Sequence, residues 1–479
     1  MRVFIVLLYL SLMVQWANAQ GYKAEIEPTA CPLKIGTGVI AKCGYLVVPE
    51  NRQKPNGRKI KVPFVFARKA DADSTQNVSL YTTGGPGYST ISYISEINAT
   101  SGFLKFGGFI AFDQRGTKKS IPALESPEIE EAIQRSYREN LNKDSLVLVA
   151  TQQMRQRLSD QGIDLSAYNT VESAADINDL RTVLHIKQLN LVGISYSGGL
   201  MLTVARLYPE MVRTLILNSP LPSYVTYEEH GLFNMNEALD QIFANCDADS
   251  TNKALYGNLK KRFQDYFTSI TNKHFTISYQ EKGSNEKRTI TYGKAELLDA
   301  IFARMSNGQL KDLPFIIYEM TNGRHEPYVK EVLDEVFAGN PGYTLGMRYS
   351  VYCSEQIAFA NPQLVKQQEK DLPWFAGYPF NNVNQAICDC WKVKPAPLYM
   401  KEALYSKIPV LASAGDADPF CRPFYNRIIK KTMPNAQLLI VHNRGHGAGF
   451  GNANSDFLGQ FLKNPYQKLV SNDPNIKVE

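Results

Sequence analysis

Short apolar runs alternate with amphipathic stretches along most of the chain, and this alternation predicts strands followed by helices. Helical periodicity covers residues 171–185 and 198–208, and Thr170 with the acidic residues after it is typical of a helix start. The runs predicted as strands are 44–48, 60–67, 78–82, 109–112, 189–192, 214–217, 409–413 and 437–441. Strands that alternate with helices favour a mostly parallel sheet covered by helices.

The eight predicted strands fall into two blocks, with six before residue 220 and two after residue 408. The stretch between the blocks is rich in helix formers and aromatic residues, which favours an insertion that returns the chain to the same sheet. We therefore predict an α/β fold with an eight-stranded, mostly parallel sheet and a large helical lid between strands six and seven. The predicted parts are 20–221 and 406–479 for the core and 222–405 for the lid; an independent middle domain is the alternative.

The first 19 residues predict a cleavable signal peptide. Arg2 precedes an almost wholly apolar run of 12 residues at 3–14, and Ala17-Asn18-Ala19 provides a cleavage site before Gln20. A bilayer span needs roughly 20 apolar residues. The pattern therefore favours a secreted or periplasmic protein with no membrane span after cleavage over a membrane-anchored one.

Composition narrows the classes of function. The chain of 479 residues carries 52 Lys and Arg against 46 Asp and Glu, and 20% of its residues are charged. This usage excludes a disordered, collagenous or coiled-coil chain. Because the opposite charges are interspersed, no basic stripe for nucleic acid is present and no nucleic-acid partner is expected.

Seven cysteines follow the predicted signal peptide, in a compartment where disulfides form. Cys31 and Cys43 are predicted to pair, and the odd number predicts one free thiol. Cys388 and Cys390 are too close to bridge each other, so each is expected to choose a partner among Cys353, Cys421 and Cys246. Neither the cysteines nor the six histidines have the spacing of zinc ligands, so no metal or cofactor is expected.

The sharpest local feature is the run from Leu189 to Gly199, in which an apolar strand gives way to small residues and then to a helix. This pattern is typical of a nucleophile elbow, which presents a serine on a tight turn. Ser195 is the favoured nucleophile, with Gly193 two residues before it. Ser197 stands where the motif usually has its second glycine, and an alternative register makes Ser197 the nucleophile.

Two earlier loops fit a supporting role. Gly84 and Gly85 follow a predicted strand, and a backbone N–H from this loop together with that of Tyr196 would form an oxyanion hole. A simple surface turn is the alternative for the glycine-rich loop. After the next strand, Asp113 and Arg115 are expected to pair and lock their loop.

A base and an acid are expected after the two late strands, in the chain order of this kind of site. Asp418 is favoured over Asp416 as the acid because it lies farther out along its loop. His446 is favoured over His442 as the base, since His442 still belongs to the strand end. Ser195, Asp418 and His446 together predict a catalytic triad.

Five motifs carry a resemblance to a known family: Gly84-Gly85-Pro86-Gly87, Asp113-Gln114-Arg115-Gly116, Gly193-Ile194-Ser195-Tyr196, Gly415-x-x-Asp418-Pro419 and Gly445-His446-Gly447. The chain resembles the α/β-hydrolase serine peptidases of the prolyl aminopeptidase and secreted tripeptidyl aminopeptidase family. The segment 43–49 and the cysteines near Cys353 are more similar to the tripeptidyl branch. The chain departs from the family at Thr83, where the prolyl branch usually has His, and at Ser197.

The resemblance implies a serine exopeptidase that acts on peptides with a free amino terminus. A lid carboxylate should then bind the substrate's ammonium group, and Glu355 is the candidate, although an exposed helical Glu is the simpler interpretation. Two other functions use the same scaffold. One is an esterase or amidase on small acyl substrates, and the other is a binding protein without catalysis.

Overall fold

The computed structural model describes residues 21–73, 76–306, 308–452 and 454–479. The predicted signal peptide at 1–19 lies outside these residues. None of the described helices combines the length and the apolar character that crossing a bilayer requires.

Twelve strands of three or more residues occur in the described part of the chain. In chain order they are β1 (Glu25–Pro28), β2 (Val39–Pro49), β3 (Lys59–Lys69), β4 (Val78–Thr82), β5 (Phe109–Phe112), β6 (Leu189–Ile194), β7 (Val212–Asn218), β8 (Phe275–Gln280), β9 (Lys287–Tyr292), β10 (Val410–Gly415), β11 (Ala436–Val441) and β12 (Ile476–Val478). Shorter strands pair Lys34–Ile35 with Glu96–Ile97 and Gly451–Asn452 with Ser455–Asp456.

Ten of these strands form one sheet, in the order β1-β2-β3-β5-β4-β6-β7-β10-β11-β12. The six strands from β5 to β11 in this order are parallel to their neighbours, and the pairings toward both edges are antiparallel. Each of the eight predicted runs is a strand of this sheet, which confirms the α/β fold. The count of eight was wrong because it missed the edge strands β1 and β12. The β1 sequence Glu-Ile-Glu-Pro is largely exposed and has no apolar run, so pairing with β2 defines it.

Fifteen α-helices accompany the strands among the described residues. They are α1 (Pro127–Arg138), α2 (Lys143–Asp160), α3 (Thr170–Val183), α4 (Tyr196–Leu207), α5 (Gly231–Ala248), α6 (Ser250–Tyr256), α7 (Leu259–Ser269), α8 (Lys294–Ser306), α9 (Leu313–Thr321), α10 (Glu326–Ala338), α11 (Leu345–Glu355), α12 (Pro362–Asp371), α13 (Gln385–Trp391), α14 (Pro423–Thr432) and α15 (Phe457–Lys463). The two predicted helices are present as α3 and α4. The cap of α3 is Asn169, whose side chain accepts a 2.9 Å hydrogen bond from the N–H of Glu172, one residue earlier than predicted.

The chain between β7 and β10 forms helices α5 to α13 and the hairpin β8–β9. Much of its apolar surface is buried in a cluster around Phe263, Phe267 and Phe375, which Tyr137 and Ala417 from outside the segment join. A second cluster lies under the sheet, where strands β2 to β7 pack on α3 and α4. We call the segment between β7 and β10 the lid; the domain boundaries given above stay a prediction.

Two disulfides are present, Cys31–Cys43 and Cys353–Cys388. The first was predicted. The expectations of a partner for Cys390 and of a single free thiol were wrong, since Cys246, Cys390 and Cys421 are all free. Cys246 and Cys421 are buried in separate apolar clusters, and Cys390 is partly exposed.

Candidate active site

Ser195 stands at the turn between β6 and α4. Its backbone has φ 59° and ψ −126°, a conformation that is strained for a residue other than glycine. Small neighbours make this turn possible. A Cβ atom on Gly193 would lie 2.5 Å from the carbonyl oxygen of Ser197, and one on Gly198 would lie 2.6 Å from Cβ of Pro220. The local structure is therefore that of a nucleophile elbow.

Ser197 has a different place in this turn. Its side chain is fully buried. Its hydroxyl accepts a 2.8 Å hydrogen bond from the N–H of Ile194 and donates one of 2.8 Å to the carbonyl oxygen of Thr82. Ser195 instead lines a cavity. These contacts favour Ser195 over Ser197 as the nucleophile.

The glycine-rich loop after β4 touches the elbow directly. A Cβ atom on Gly84 would lie 2.6 Å from the carbonyl oxygen of Ile194, 2.9 Å from Cβ of Ser195 and 3.4 Å from the backbone nitrogen of Tyr196. Gly85 has φ +115° and its bond to Pro86 is cis. The backbone of this loop and that of Tyr196 thus meet beside the serine, as an oxyanion hole requires.

Buried polar side chains hold the glycine-rich loop in place. The amide nitrogen of Gln114 donates hydrogen bonds of 2.9 Å to the carbonyl oxygen of Thr83 and 3.2 Å to the hydroxyl of Thr82. The N–H of Thr83 donates to the hydroxyl of Thr90 at 2.9 Å. Sequence reasoning singled out the motif around Gln114 but missed this contact with the loop.

Asp113 and Arg115 do not pair with each other, contrary to the prediction. Asp113 turns toward the chain after the glycine-rich loop, where it accepts hydrogen bonds from the hydroxyl of Ser89 and the N–H of Ile91. Burial raises the pKa of its carboxyl to about 6. Arg115 turns toward α3 and binds Asp176 through two nitrogens, at 2.8 Å and 2.7 Å. Asp113 thus stabilises the segment after the glycine-rich loop, and Arg115 holds its own loop to α3.

His446 and Asp418 form a hydrogen-bonded pair at the carboxyl edge of the sheet. Nδ1 of His446 lies 2.9 Å and 3.1 Å from the two carboxylate oxygens of Asp418, which follow β10. The carboxyl of Asp418 is fully buried and also accepts from the N–H groups of Phe420 and Cys421, each at 2.9 Å. Such a pair fixes the orientation of the imidazole.

The two members of this pair stabilise each other's charge. Burial disfavours the ionised form of Asp418, but His446 and the two N–H groups hold the pKa of the carboxyl below its ordinary value. Burial likewise disfavours the charged imidazole, and Asp418 outweighs it, so the pKa of His446 is raised.

His442 and Asp416, the less favoured candidates for the base and the acid, also pair with each other. Nδ1 of His442 lies 2.5 Å from a carboxylate oxygen of Asp416, which also accepts from the N–H of Asn443. The imidazole of His442 is 44% exposed, and the cavity wall carries His446 instead. The structure therefore favours the pair of His446 and Asp418 for a role at the cavity.

A cavity of about 850 Å³ lies between the sheet edge and the lid. Of the seven predicted site residues, six line it and Asp418 lies behind His446; the six are Gly84, Gly85, Ser195, Tyr196, Glu355 and His446. Among the described residues no hydrogen bond joins Ser195 to His446, and such contacts often tighten only when substrate binds. No group of three or more His, Cys, Asp or Glu side chains in the described chain is arranged to hold a metal ion.

Glu355 is buried, in contrast to the simpler interpretation of an exposed helical residue. It ends helix α11 and is only 5% exposed. Its carboxylate accepts hydrogen bonds from the N–H of Thr170 at 2.7 Å and from the Thr170 hydroxyl at 2.6 Å. Burial raises the pKa of this carboxyl, although Thr170 and Lys401 oppose the shift. The cavity thus has a buried acidic group in its wall.

Sequence reasoning missed three residues at or near this site. Cys421 places its sulfur 3.9 Å from Oγ of Ser195. Arg348 reaches the glycine-rich loop from the lid, and Glu228 is a second buried carboxylate. The Cys421 position, three residues after Asp418, could have been noticed in the sequence. The other two depend on how the lid packs, for which the sequence holds no local signal.

Two protein-family models match parts of this chain. Residues 84–280 match a family model described as the alpha/beta hydrolase fold, and residues 374–467 match one described as TAP-like protein. A crystal structure of proline iminopeptidase from Mycobacterium smegmatis is 12% identical, with a TM-score of 0.38 over 88% of this chain and 98% of that chain.

Curated relatives include tripeptidyl aminopeptidases of Streptomyces coelicolor and Streptomyces lividans. Each is 24% identical over 213 residues, or 42% of this chain and 39% and 40% of the two relatives. The chain thus matches about two fifths of the length of these relatives. Together with the ten-stranded sheet and the family models, they confirm the resemblance inferred from the motifs: the chain has the α/β-hydrolase fold, and its carboxyl-terminal region is similar to the TAP-like family.

Proposed function

We propose that the chain is a secreted serine exopeptidase that hydrolyses peptides from a free amino terminus. The observation that carries this proposal is the convergence of Ser195, on its strained elbow, and His446, held by buried Asp418, on one cavity beneath the lid. The tripeptidyl aminopeptidases among the relatives support a peptide as the substrate.

In the proposed mechanism His446 acts first as a base. Its Nε2 takes the proton of Ser195 as Oγ attacks the scissile carbonyl carbon, and the charge that develops on the oxygen is stabilised by N–H groups of Tyr196 and of Gly84 or Gly85. His446 then returns the proton to the leaving amine as the C–N bond breaks. Water, activated by His446, releases the acyl group from Ser195. Asp418 stays ionised and stabilises the imidazolium throughout.

The restriction to a free amino terminus is assigned to Glu355. A substrate ammonium buried in the cavity needs a counter-charge, and Glu355 is a buried carboxylate in the cavity wall. Its two hydrogen bonds from Thr170 fix the orientation of the carboxylate. An acetylated terminus carries no positive charge, so it would not offset the cost of burying the ionised carboxylate of Glu355.

Export is proposed from the signal-like segment at 1–19. The disulfides Cys31–Cys43 and Cys353–Cys388 are typical of proteins that reach an oxidising compartment. The proposed location is therefore outside the cytoplasm, either secreted or periplasmic.

Mass spectrometry of the products from one peptide library tests the proposal. The library is offered with free and with acetylated amino ends, and the Ser195→Ala protein serves as the control. We expect fragments only from free ends and only with the unmodified protein, and their length distinguishes one-residue from three-residue release. Equal cleavage of both forms, or ester turnover without peptide cleavage, would favour the esterase alternative.

A further inference from the structure

Arg348 connects the lid to the catalytic edge of the sheet. It lies in the first turns of α11 and lines the cavity. Its Nη1 donates a 2.7 Å hydrogen bond to the carbonyl oxygen of Gly85. Its Nε and Nη2 donate to the side-chain oxygens of Asn382 and Asn381, each at 2.6 Å. The guanidinium is therefore held at a fixed place beside the proposed oxyanion hole.

The positive charge of Arg348 forms no ion pair in the described chain. All three of its hydrogen-bond acceptors are neutral amide oxygens, and no described carboxylate lies within 4.0 Å of the guanidinium. The aromatic ring of Tyr352 stacks on it at 4.3 Å.

The other groups around Arg348 do not supply a full negative charge. Burial raises the pKa of the Tyr88 hydroxyl to about 12 and raises that of Tyr343 and Tyr352, so these phenols are neutral at pH 7. Glu228 accepts a hydrogen bond from Asn381 and forms no ion pair with Arg348, although the two opposite charges attract each other. Burial raises the pKa of Glu228 to about 7, against the opposing effects of Asn381 and Arg348.

A cation in this position is suited to an anionic ligand. Arg348 is partly buried without an ion-pair partner, which is unfavourable for its charge, and a ligand carboxylate would offset that cost. Arginine has five N–H donors, of which the three amide oxygens use three, and the hydroxyl of Tyr343 also contacts the guanidinium. At least one N–H of Nη1 or Nη2 stays available, and charge-assisted hydrogen bonds from arginine to a carboxylate are strong.

We propose that Arg348 binds a carboxylate of the peptide substrate close to the scissile bond. The inference rests on the proposed peptidase function and adds a substrate class to it: peptides with an acidic group next to the cleaved bond. Two sources carry the same chemistry, an acidic side chain beside the scissile bond or the free carboxyl terminus of a short leaving peptide. The contact of Arg348 with Gly85 places either source near the carbonyl under attack.

Matched peptides test the proposal and separate the two sources. One pair differs only in a carboxyl-terminal acid or amide, and the other only in Glu or Gln next to the scissile bond. For each peptide, kcat and KM are measured with the unmodified protein, and Kd is measured by calorimetry with Ser195→Ala. We expect the acidic member of at least one pair to be favoured by about 10-fold to 100-fold, mainly through KM and Kd. The pair that shows the preference identifies the source of the carboxylate.

The variants Arg348→Gln and Arg348→Lys separate binding from support of the loop. Arg348→Gln should bring the acidic-to-neutral ratio close to one, and Arg348→Lys should retain part of it. An equal loss for acidic and neutral peptides in Arg348→Gln would overturn the proposal, since it would reflect only the lost contact with Gly85. Equal affinity of the unmodified protein for both members of both pairs would overturn it without any variant.

The failure of this inference is distinguishable from failure of the proposed function. Ser195-dependent cleavage of neutral and acidic peptides at equal rates would remove the carboxylate site and leave the peptidase intact. Absence of any Ser195-dependent cleavage would instead remove the peptidase. The calorimetric comparison with Ser195→Ala would still decide whether Arg348 binds a carboxylate, because it requires no turnover.

Discussion

Ser197 donates a 2.8 Å hydrogen bond to the carbonyl oxygen of Thr82 and so joins the nucleophile elbow to the strand that leads into the glycine-rich loop. The same hydroxyl accepts from the N–H of Ile194, directly before Ser195. Ser197, which stands where the motif usually has glycine, thus connects the elbow that carries the nucleophile to the loop that would bind the oxyanion.

Replacing Ser197 by alanine should affect catalysis as well as stability. The change leaves the buried N–H of Ile194 and the carbonyl of Thr82 without this partner, which should lower the free energy of unfolding by about 1–3 kcal/mol. We expect kcat to fall with little change in KM. Ser136→Ala is the matched control, since Ser136 is also buried and donates to the carbonyl oxygen of Ile133, which belongs to neither the elbow nor the glycine-rich loop. It should lower stability only; an unchanged kcat in Ser197→Ala would contradict the role given to this residue.

Gly84→Ala should lower kcat by about 100-fold, the usual effect of losing an oxyanion contact. The new methyl group would meet the carbonyl oxygen of Ile194 at 2.6 Å and Cβ of Ser195 at 2.9 Å, so the loop and the elbow must separate. Gly102→Ala is the control because a Cβ atom there meets nothing within 4 Å. Steady-state kinetics of both variants check this expectation, and wild-type kcat in Gly84→Ala would refute it.

The pH dependence of kcat/KM should report the pairing of His446 with Asp418. The neutral imidazole is the base, and Asp418 raises its pKa above the ordinary value of about 6.5. Activity should therefore be lost, as the pH falls, through a pKa above that value. In Asp418→Asn the imidazole of His446 stays buried but loses its counter-charge, so its pKa should fall and the acidic limb should move to lower pH. The same change should lower kcat by about 10³-fold to 10⁴-fold. A limb that stays in place would show that another group controls it.

Glu355→Gln should abolish the preference for a free amino terminus if its carboxylate binds the ammonium group. The variant keeps the size of the side chain and removes its charge, so KM for free peptides should rise by about 10-fold or more. Glu228→Gln is the comparison, because Glu228 is equally buried but bonds Asn381. Kinetics on free and acetylated peptides distinguish the two, and a loss of preference only in Glu228→Gln would move the ammonium site to that residue.

The sequence was sufficient to predict most of the central sheet. Buried parallel strands are continuous apolar runs, as in Leu189–Ile194, and such runs are visible without any tertiary information. The edge strands Glu25–Pro28 and Ile476–Val478 were missed because pairing with a neighbour, and not their own pattern, makes them strands.

The candidate site was predictable where the chain itself determines the geometry. Ser195, Asp418 and His446 each follow the end of a parallel strand, so the order of the strands brings them to one edge. Arg348 could not be predicted, because its contact with Gly85 joins residues 263 positions apart through the packing of the lid. The separation of Asp113 from Arg115 was missed for a related reason, as α3 offers Arg115 a better partner in Asp176.

The central claim is that Ser195 is the nucleophile and that His446 activates it. The most direct test is to react the protein with a fluorophosphonate, which phosphonylates activated serines, and to locate the adduct by peptide mapping with mass spectrometry. The account predicts a single adduct on Ser195 that is lost in Ser195→Ala and forms far more slowly in His446→Ala. An adduct on Ser197, or labelling of Ser195 that does not depend on His446, would contradict it.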